Sequence, residues 1–123
     1  MKTFRRILKL RDACLRFLGV KKRYDINGVT ILLDYGHKLP AYQADLPYYD
    51  RFLPQLVASF PAGSCVVDVG ANIGDTLAAM VGQNPELQYI SVEANSYFFQ
   101  ELQNNVKLIK ERFPVSEIEI VES

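Results

Sequence analysis

The sequence predicts an α/β fold: a short parallel sheet preceded by a helix and a β-hairpin. Three observations predict it. Beyond residue 60, compact apolar runs alternate with stretches of helical periodicity in the order β, α, β, α, β. The links between them are short, which specifies parallel strands joined by right-handed crossovers. A turn bearing Gly70 and Gly74 leaves the first of these runs and enters the first helix. Residues 1–60 read as a lead-in region and residues 61–123 as the sheet-bearing domain.

Residues 4–18 set Phe4, Ile7, Leu8, Leu15 and Leu18 at helical spacing, with Arg5, Lys9, Asp12 and Arg16 between them. The ordinary expectation is that this apolar stripe caps the protein's own core. A basic amphipathic helix also suits an anionic membrane surface or a partner. Asn27-Gly28 then separates two β-prone runs, a strong signal for a two-residue hairpin because both positions tolerate positive φ. Gly36 to Pro47, with two prolines and the sole histidine, His37, reads as a loop. Tyr48 to Phe60 reads as a helix in which Pro54 marks a kink or the true start of the regular part.

Cys65 to Val69 is an apolar run of the kind that is buried on both faces of a parallel sheet. Helical periodicity follows from Asp75 to about Gln83, and Leu87 to Val92 is a second strand. Asn95 is placed to cap a long helix with the stripe Phe98, Leu102, Val106, Ile109 and Phe113. Ile118 to Val121 is a third strand.

Fourteen basic and fourteen acidic side chains cancel, so no global charge draws the chain to nucleic acid. Their distribution is uneven, since nine Lys and Arg fall in the first 23 residues against one acid, Asp12. Cys14 and Cys65 belong to no metal-ligand spacing, and a reducing cytoplasm is expected. No secretory signal is evident, and no run approaches the roughly 20 apolar residues that cross a bilayer.

The segment from Val67 to Thr76 carries the chemistry. A turn from a buried strand into a helix brings main-chain amides and the positive helix end to one point. Gly70 lets a ligand approach the backbone, and Gly74 allows the helix to pack closely on the strand. Glu93 stands 23 residues after Gly70, at the tip of the next strand, where a carboxylate can accept two hydrogen bonds from ribose hydroxyls. These features point to a nucleoside-containing cofactor. The dinucleotide pattern requires a second glycine where this chain has Asn72, so a pyrophosphate would meet a side chain. S-adenosylmethionine has no phosphate and suits the crowded turn better.

The run Val66 to Thr76, with Ser91-Val92-Glu93-Ala94-Asn95 and Leu102-Gln103-Asn104-Asn105-Val106, resembles the FkbM family of S-adenosylmethionine-dependent methyltransferases. The blocks His37-Lys38-Leu39-Pro40 and Tyr48-Tyr49-Asp50-Arg51-Phe52-Leu53-Pro54 are similar to the lead-in of bacterial members. Ala94 departs from the proline that often follows the acid in that family. The resemblance spans residues 24–123 and implies a partial Rossmann-like, class I methyltransferase sheet. It implies that Gly70, Ala71, Asn72 and Gly74 line the amino-acid tail of the cofactor, with Asp68 orienting the loop or the ammonium, Thr76 meeting the carboxylate and Glu93 holding the ribose. It further implies O-methylation of a sugar, glycan or natural-product hydroxyl.

By the same resemblance the chain supplies strands 1–3 of a larger sheet, the cofactor-binding half, expected to be inactive alone. Its first strand would then have an open edge, a route to self-association. The residues identify no general base: a lone loop histidine such as His37 is ordinarily a solvated residue. Two other readings remain at this stage, an NAD-type binding module and a partner-binding or membrane-surface protein that docks through residues 1–23. No metal site is expected.

Overall fold

Helix α1 (Lys2–Phe17) ends in a glycine stop. Gly19 takes φ +70°, its amide donates to Arg16 O and the Val20 amide donates to Leu15 O, which satisfies the last carbonyls of the helix. This computed structural model describes residues 1–46, 48 and 51–123. Strands β1 (Lys21–Ile26) and β2 (Val29–Asp34) follow as an antiparallel hairpin. Asn27 and Gly28 form its turn with φ of 51° and 82°, as the Asn-Gly signal predicts.

Two lead-in expectations are corrected. The apolar stripe of α1 does not cap the core, because no α1 residue is buried. The hairpin takes that place: Ile26, Val29, Ile31 and Leu33 are buried against the helices that follow. The stretch read as a loop holds a helix, α2 (Leu39–Asp45). Pro40 lies in its first turn, where a missing N–H breaks no helical hydrogen bond, so this proline starts a helix instead of preventing one. Pro47, Tyr49 and Asp50, which belong to the loop and lead-in readings, lie outside the described residues. Helix α3 (Phe52–Ala58) is shorter than the sequence suggests and carries Pro54 in its own first turn.

Strands β3 (Cys65–Val69), β4 (Gln88–Glu93) and β5 (Glu117–Glu122) form a parallel sheet in that order, interleaved with α4 (Asp75–Gln83) and α5 (Ser96–Arg112). Asn95 caps α5 as expected, its Oδ1 accepting from the amides of Tyr97 and Phe98 at 3.0 and 3.2 Å. Leu102, Val106 and Ile109 are buried beneath it with Leu77, Val81 and Tyr89. Helix α4 comes close to the hairpin because residue 82 is glycine: a Cβ there would lie 3.0 Å from Val29 Cγ2.

Burial of β3 on both faces is the third correction. Val66 packs toward the core, but Val67 and Val69 are 59% and 78% exposed. Side chains alternate across a strand, and the sheet buries only one of its faces, the one carrying Tyr89, Ser91 and Ile118. Strand β3 is an edge strand among the described residues, paired only with β4.

Candidate cofactor-binding site

The turn from β3 into α4 is held by strand β4. The amides of Gly70 and Ala71 both donate to Val92 O, at 2.9 and 3.0 Å, and the amide of Gly74 returns to Ala71 O at 3.0 Å. The amide of Asn72 donates to Glu93 Oε2 at 2.7 Å. Glu93 Oε1 accepts from the amide of Asn95 at 2.8 Å, so one carboxylate joins the glycine turn to the cap of α5. Glu93 is only 8% exposed. Each of its oxygens keeps a lone pair after these bonds, which leaves room for a hydroxyl donor.

Four of the five amides from Gly70 to Gly74 are therefore already paired within the protein, so the turn does not present its amides as a set to a ligand as expected. Donors come from elsewhere. A cleft of about 270 Å³ has Gly70, Ala71, Asn72, Asp75 and Thr76 on one wall. The opposite wall is His37, Lys38, Leu39 and Tyr42. Of the residues expected at the site, Asp68, Gly74 and Glu93 do not line this cleft. Asp68 lies in β3 at the register of the buried Ser91, Gly74 is the N-cap of α4, and Glu93 supports the turn from behind.

Two glycines act differently. At Gly70, φ is +84° and a Cβ would meet nothing within 4 Å, so open space lies above the turn. At Gly74, φ is +93° and a Cβ would sit 3.0 Å from Leu102 Cδ1 and 3.9 Å from Asn105 Cβ. Gly74 thus admits α5, whereas the sequence suggested close packing on the strand. Asn72 carries two local costs, a φ of +52° and a buried Oδ1 with no hydrogen-bond partner among the described residues. Strain of this kind gathers at functional turns that the surroundings hold in place.

Asn105 is a positioning residue that the sequence reading did not single out. Fully buried in α5, it accepts from Leu32 N at 2.8 Å and donates to Leu32 O at 3.1 Å and to Ile73 O at 2.8 Å. It clamps the hairpin to the glycine turn. A polar residue beside the apolar stripe Leu102, Val106 and Ile109 is the signal that would have found it.

A second tie lies at the open end of the hairpin, two residues further along β2. Lys21 Nζ bridges Asp34 Oδ1 at 2.5 Å and Glu101 Oε2 at 2.7 Å, and the Tyr97 hydroxyl donates to Asp34 Oδ2. Burial opposes the Lys21 charge, but its two carboxylate partners outweigh that and raise its pKa. Burial likewise opposes the Asp34 charge, and hydrogen bonds from Lys21 and Tyr97 outweigh it, lowering the Asp34 pKa. The chain then turns directly into the cleft wall, with His37 N donating to Asp34 O at 3.1 Å. His37 Nδ1 accepts from the Leu39 amide at 3.1 Å, which puts the proton of the neutral ring on Nε2. Burial lowers the His37 pKa below its ordinary value, with Asp34 opposing. No cluster of metal-binding side chains occurs among the described residues.

No family model and no curated protein matches the chain. Solved structures do. An S-adenosylmethionine-dependent methyltransferase from Agrobacterium tumefaciens aligns with a TM-score of 0.58 at 12% identity, over 82% of this chain and 31% of that one. TYW2 from Pyrococcus horikoshii, solved in complex with MeSAdo, gives 0.58 at 20% identity over 83% and 35%. PH0793 from the same archaeon gives 0.57 at 18% identity over 94% and 47%. The chain shares the Rossmann-like α/β fold of these structures. It spans between about a third and a half of the length of these chains. No described helix is long and apolar enough to cross a membrane.

Proposed function

We propose that the chain is the cofactor-binding part of an S-adenosylmethionine-dependent methyltransferase. The observation that carries this reading is the pairing of the turn amides. A dinucleotide site needs main-chain N–H groups of its glycine turn for the pyrophosphate, and here Gly70, Ala71, Asn72 and Gly74 already donate to Val92 O, Glu93 and Ala71 O. Asn72 also stands where the dinucleotide pattern has glycine. A ligand without phosphates meets no such demand. The similar Agrobacterium and Pyrococcus structures support the same choice.

The residues present fit such a ligand. Open space above Gly70 admits it, and Glu93, anchored by two amides, keeps acceptor capacity for ribose hydroxyls. Thr76, the Nε2–H of His37 and the Lys38 ammonium supply donors for the carboxylate of the amino-acid tail from the walls of the cleft. Asp68, in β3 just before the turn, would orient the loop or the cofactor's ammonium. The bound cofactor would supply a methyl group activated by its sulfonium. His37, with Nε2 protonated, is a donor in this state and not the base that deprotonates an acceptor.

The finer reading is an FkbM-type O-methyltransferase acting on a small-molecule or glycan hydroxyl, and the motif blocks quoted from the sequence support it. Calorimetric titration of the chain with S-adenosylhomocysteine and with NAD tests the cofactor choice. Saturable heat with the first alone is expected, and NAD binding in its place would overturn the reading.

A further inference from the structure

Helix α1 buries none of its residues, and its side chains fall into three stripes. Leu8, Asp12 and Leu15 are half-buried and face the body, where the Cβ of Asp12 lies 3.9 Å from the position a Cβ would take at Gly36. Lys2, Arg5, Arg6, Lys9 and Arg16 form a basic stripe, fully outward. Phe4, Ile7, Leu10, Cys14 and Phe17, at steps of three and four, form an apolar stripe that is also outward, with Phe4 65% and Phe17 91% exposed. The charge is segregated accordingly. Residues 1–23 carry nine basic side chains and one acid, and that acid, Asp12, is bridged by Arg11 at 2.6 Å. Residues 24–123 carry five basic and thirteen acidic side chains.

We propose that α1 docks this protein on an anionic lipid surface, lying in the interface with its apolar stripe among the acyl chains and its basic stripe at the headgroups. Outward phenylalanines beside a row of cations match hydrocarbon beneath a layer of negative charge. A nucleic acid would engage the cations and leave the apolar stripe in water. The same surface repels the acidic remainder of the chain, so the molecule approaches through α1 alone. Because α1 adjoins Gly36 and His37 lines the cleft, docking holds one wall of the cleft near the bilayer. The proposal is independent of what the cleft binds.

Co-sedimentation of the full chain with vesicles of phosphatidylcholine, alone or with about 30 mol % phosphatidylserine, tests it. Partitioning at least about tenfold stronger onto the anionic vesicles, and falling with added salt, is expected. The double variant Arg5→Glu/Lys9→Glu should lose the preference for anionic vesicles. Phe4→Ser/Phe17→Ser should weaken binding at unchanged charge. No α1 residue is buried, so both variants should keep the wild-type melting temperature. The comparison of the two vesicle types with the unaltered chain does not depend on them. Equal partitioning onto both vesicle types, or none, would overturn the proposal. A salt-dispersed oligomer formed without vesicles would overturn it too, assigning α1 to the acidic face of a second copy.

Discussion

The carboxylate of Glu93 and the main-chain amide of Asn72 are joined at 2.7 Å, so the acid at the tip of β4 is part of the structure of the glycine turn and not only a group beside it. Its other oxygen holds the amide of Asn95, the residue that caps α5. Glu93 lies on the helix-covered face, where removing its carboxylate leaves two amides without their acceptors.

Glu93→Ala should therefore do two things. It should lower affinity for S-adenosylhomocysteine roughly tenfold or more through lost charge-assisted hydrogen bonds. It should also lower stability by about 1–3 kcal/mol, because two partly buried amides lose their partner. Glu93→Gln should recover part of the stability. Calorimetry and urea unfolding read the two effects separately, and Glu93→Ala at wild-type stability would show that water replaces the carboxylate.

At the glycines, both positions have positive φ, so any side chain costs about 1–2 kcal/mol of backbone strain. Only Gly74 adds a collision, with Leu102 of α5 at 3.0 Å. Gly74→Ala should lower the melting temperature more than Gly70→Ala. Gly70→Val should abolish cofactor binding in a chain that still folds. Equal melting temperatures for the two alanine variants would contradict this division.

The hairpin clamp gives a sharper stability test. Asn105→Leu removes an acceptor from Leu32 N and donors from Leu32 O and Ile73 O, all supplied by one buried side chain. A loss of about 3 kcal/mol or more is expected. Faster hydrogen exchange at the Leu32 amide should accompany it, and unchanged protection there would show that β2 is held by other contacts.

These contacts mark where the sequence stopped being informative. The β-α-β-α-β order, the Asn27-Gly28 turn, the Asn95 cap and the position of Glu93 were legible because each depends on local spacing and conformational preference. The helix Leu39–Asp45 was not, since a proline that starts a helix and one that prevents it look alike without knowing which amides are paired. Pairing of the Gly70 and Ala71 amides with Val92 O, and the packing of Gly74 on α5, are tertiary facts without a local signature. The exposure of α1 is the same kind of fact: its amphipathic pattern was plain, but the hairpin's claim on the core was not.

Stability should depend on pH through His37. Burial lowers its pKa, so the unfolded chain binds a proton before the folded one does. The stability that neutral His37 contributes is complete above the ordinary histidine pKa of about 6.5 and is lost as pH falls through the lower folded value. Protonation also removes the acceptor for the Leu39 amide. Between about pH 7 and pH 5 the unaltered chain should lose more stability than His37→Gln, measured by urea unfolding at each pH. Parallel losses in the two proteins would assign the acid sensitivity to other groups.

Among the described residues strand β3 pairs only with β4, and Val67 and Val69 project from the face opposite the buried Tyr89 and Ser91. Ile90 and Val92, at the same registers of β4, extend that apolar face. Among the described residues the hairpin does not extend the sheet at this edge, since β1 and β2 form a separate two-stranded sheet. An unpaired edge beside an exposed apolar face is a template for another chain. The 123-residue chain should therefore self-associate as its concentration rises, and Val67→Lys, which places a charge on that face without touching the core, should return it toward the monomer. Sedimentation velocity distinguishes this from association through α1, which salt disperses, whereas burial of Val67 and Val69 resists salt. A chain that stays monomeric at high concentration, and methylates a sugar acceptor on its own, would show that the open face harms neither folding nor activity.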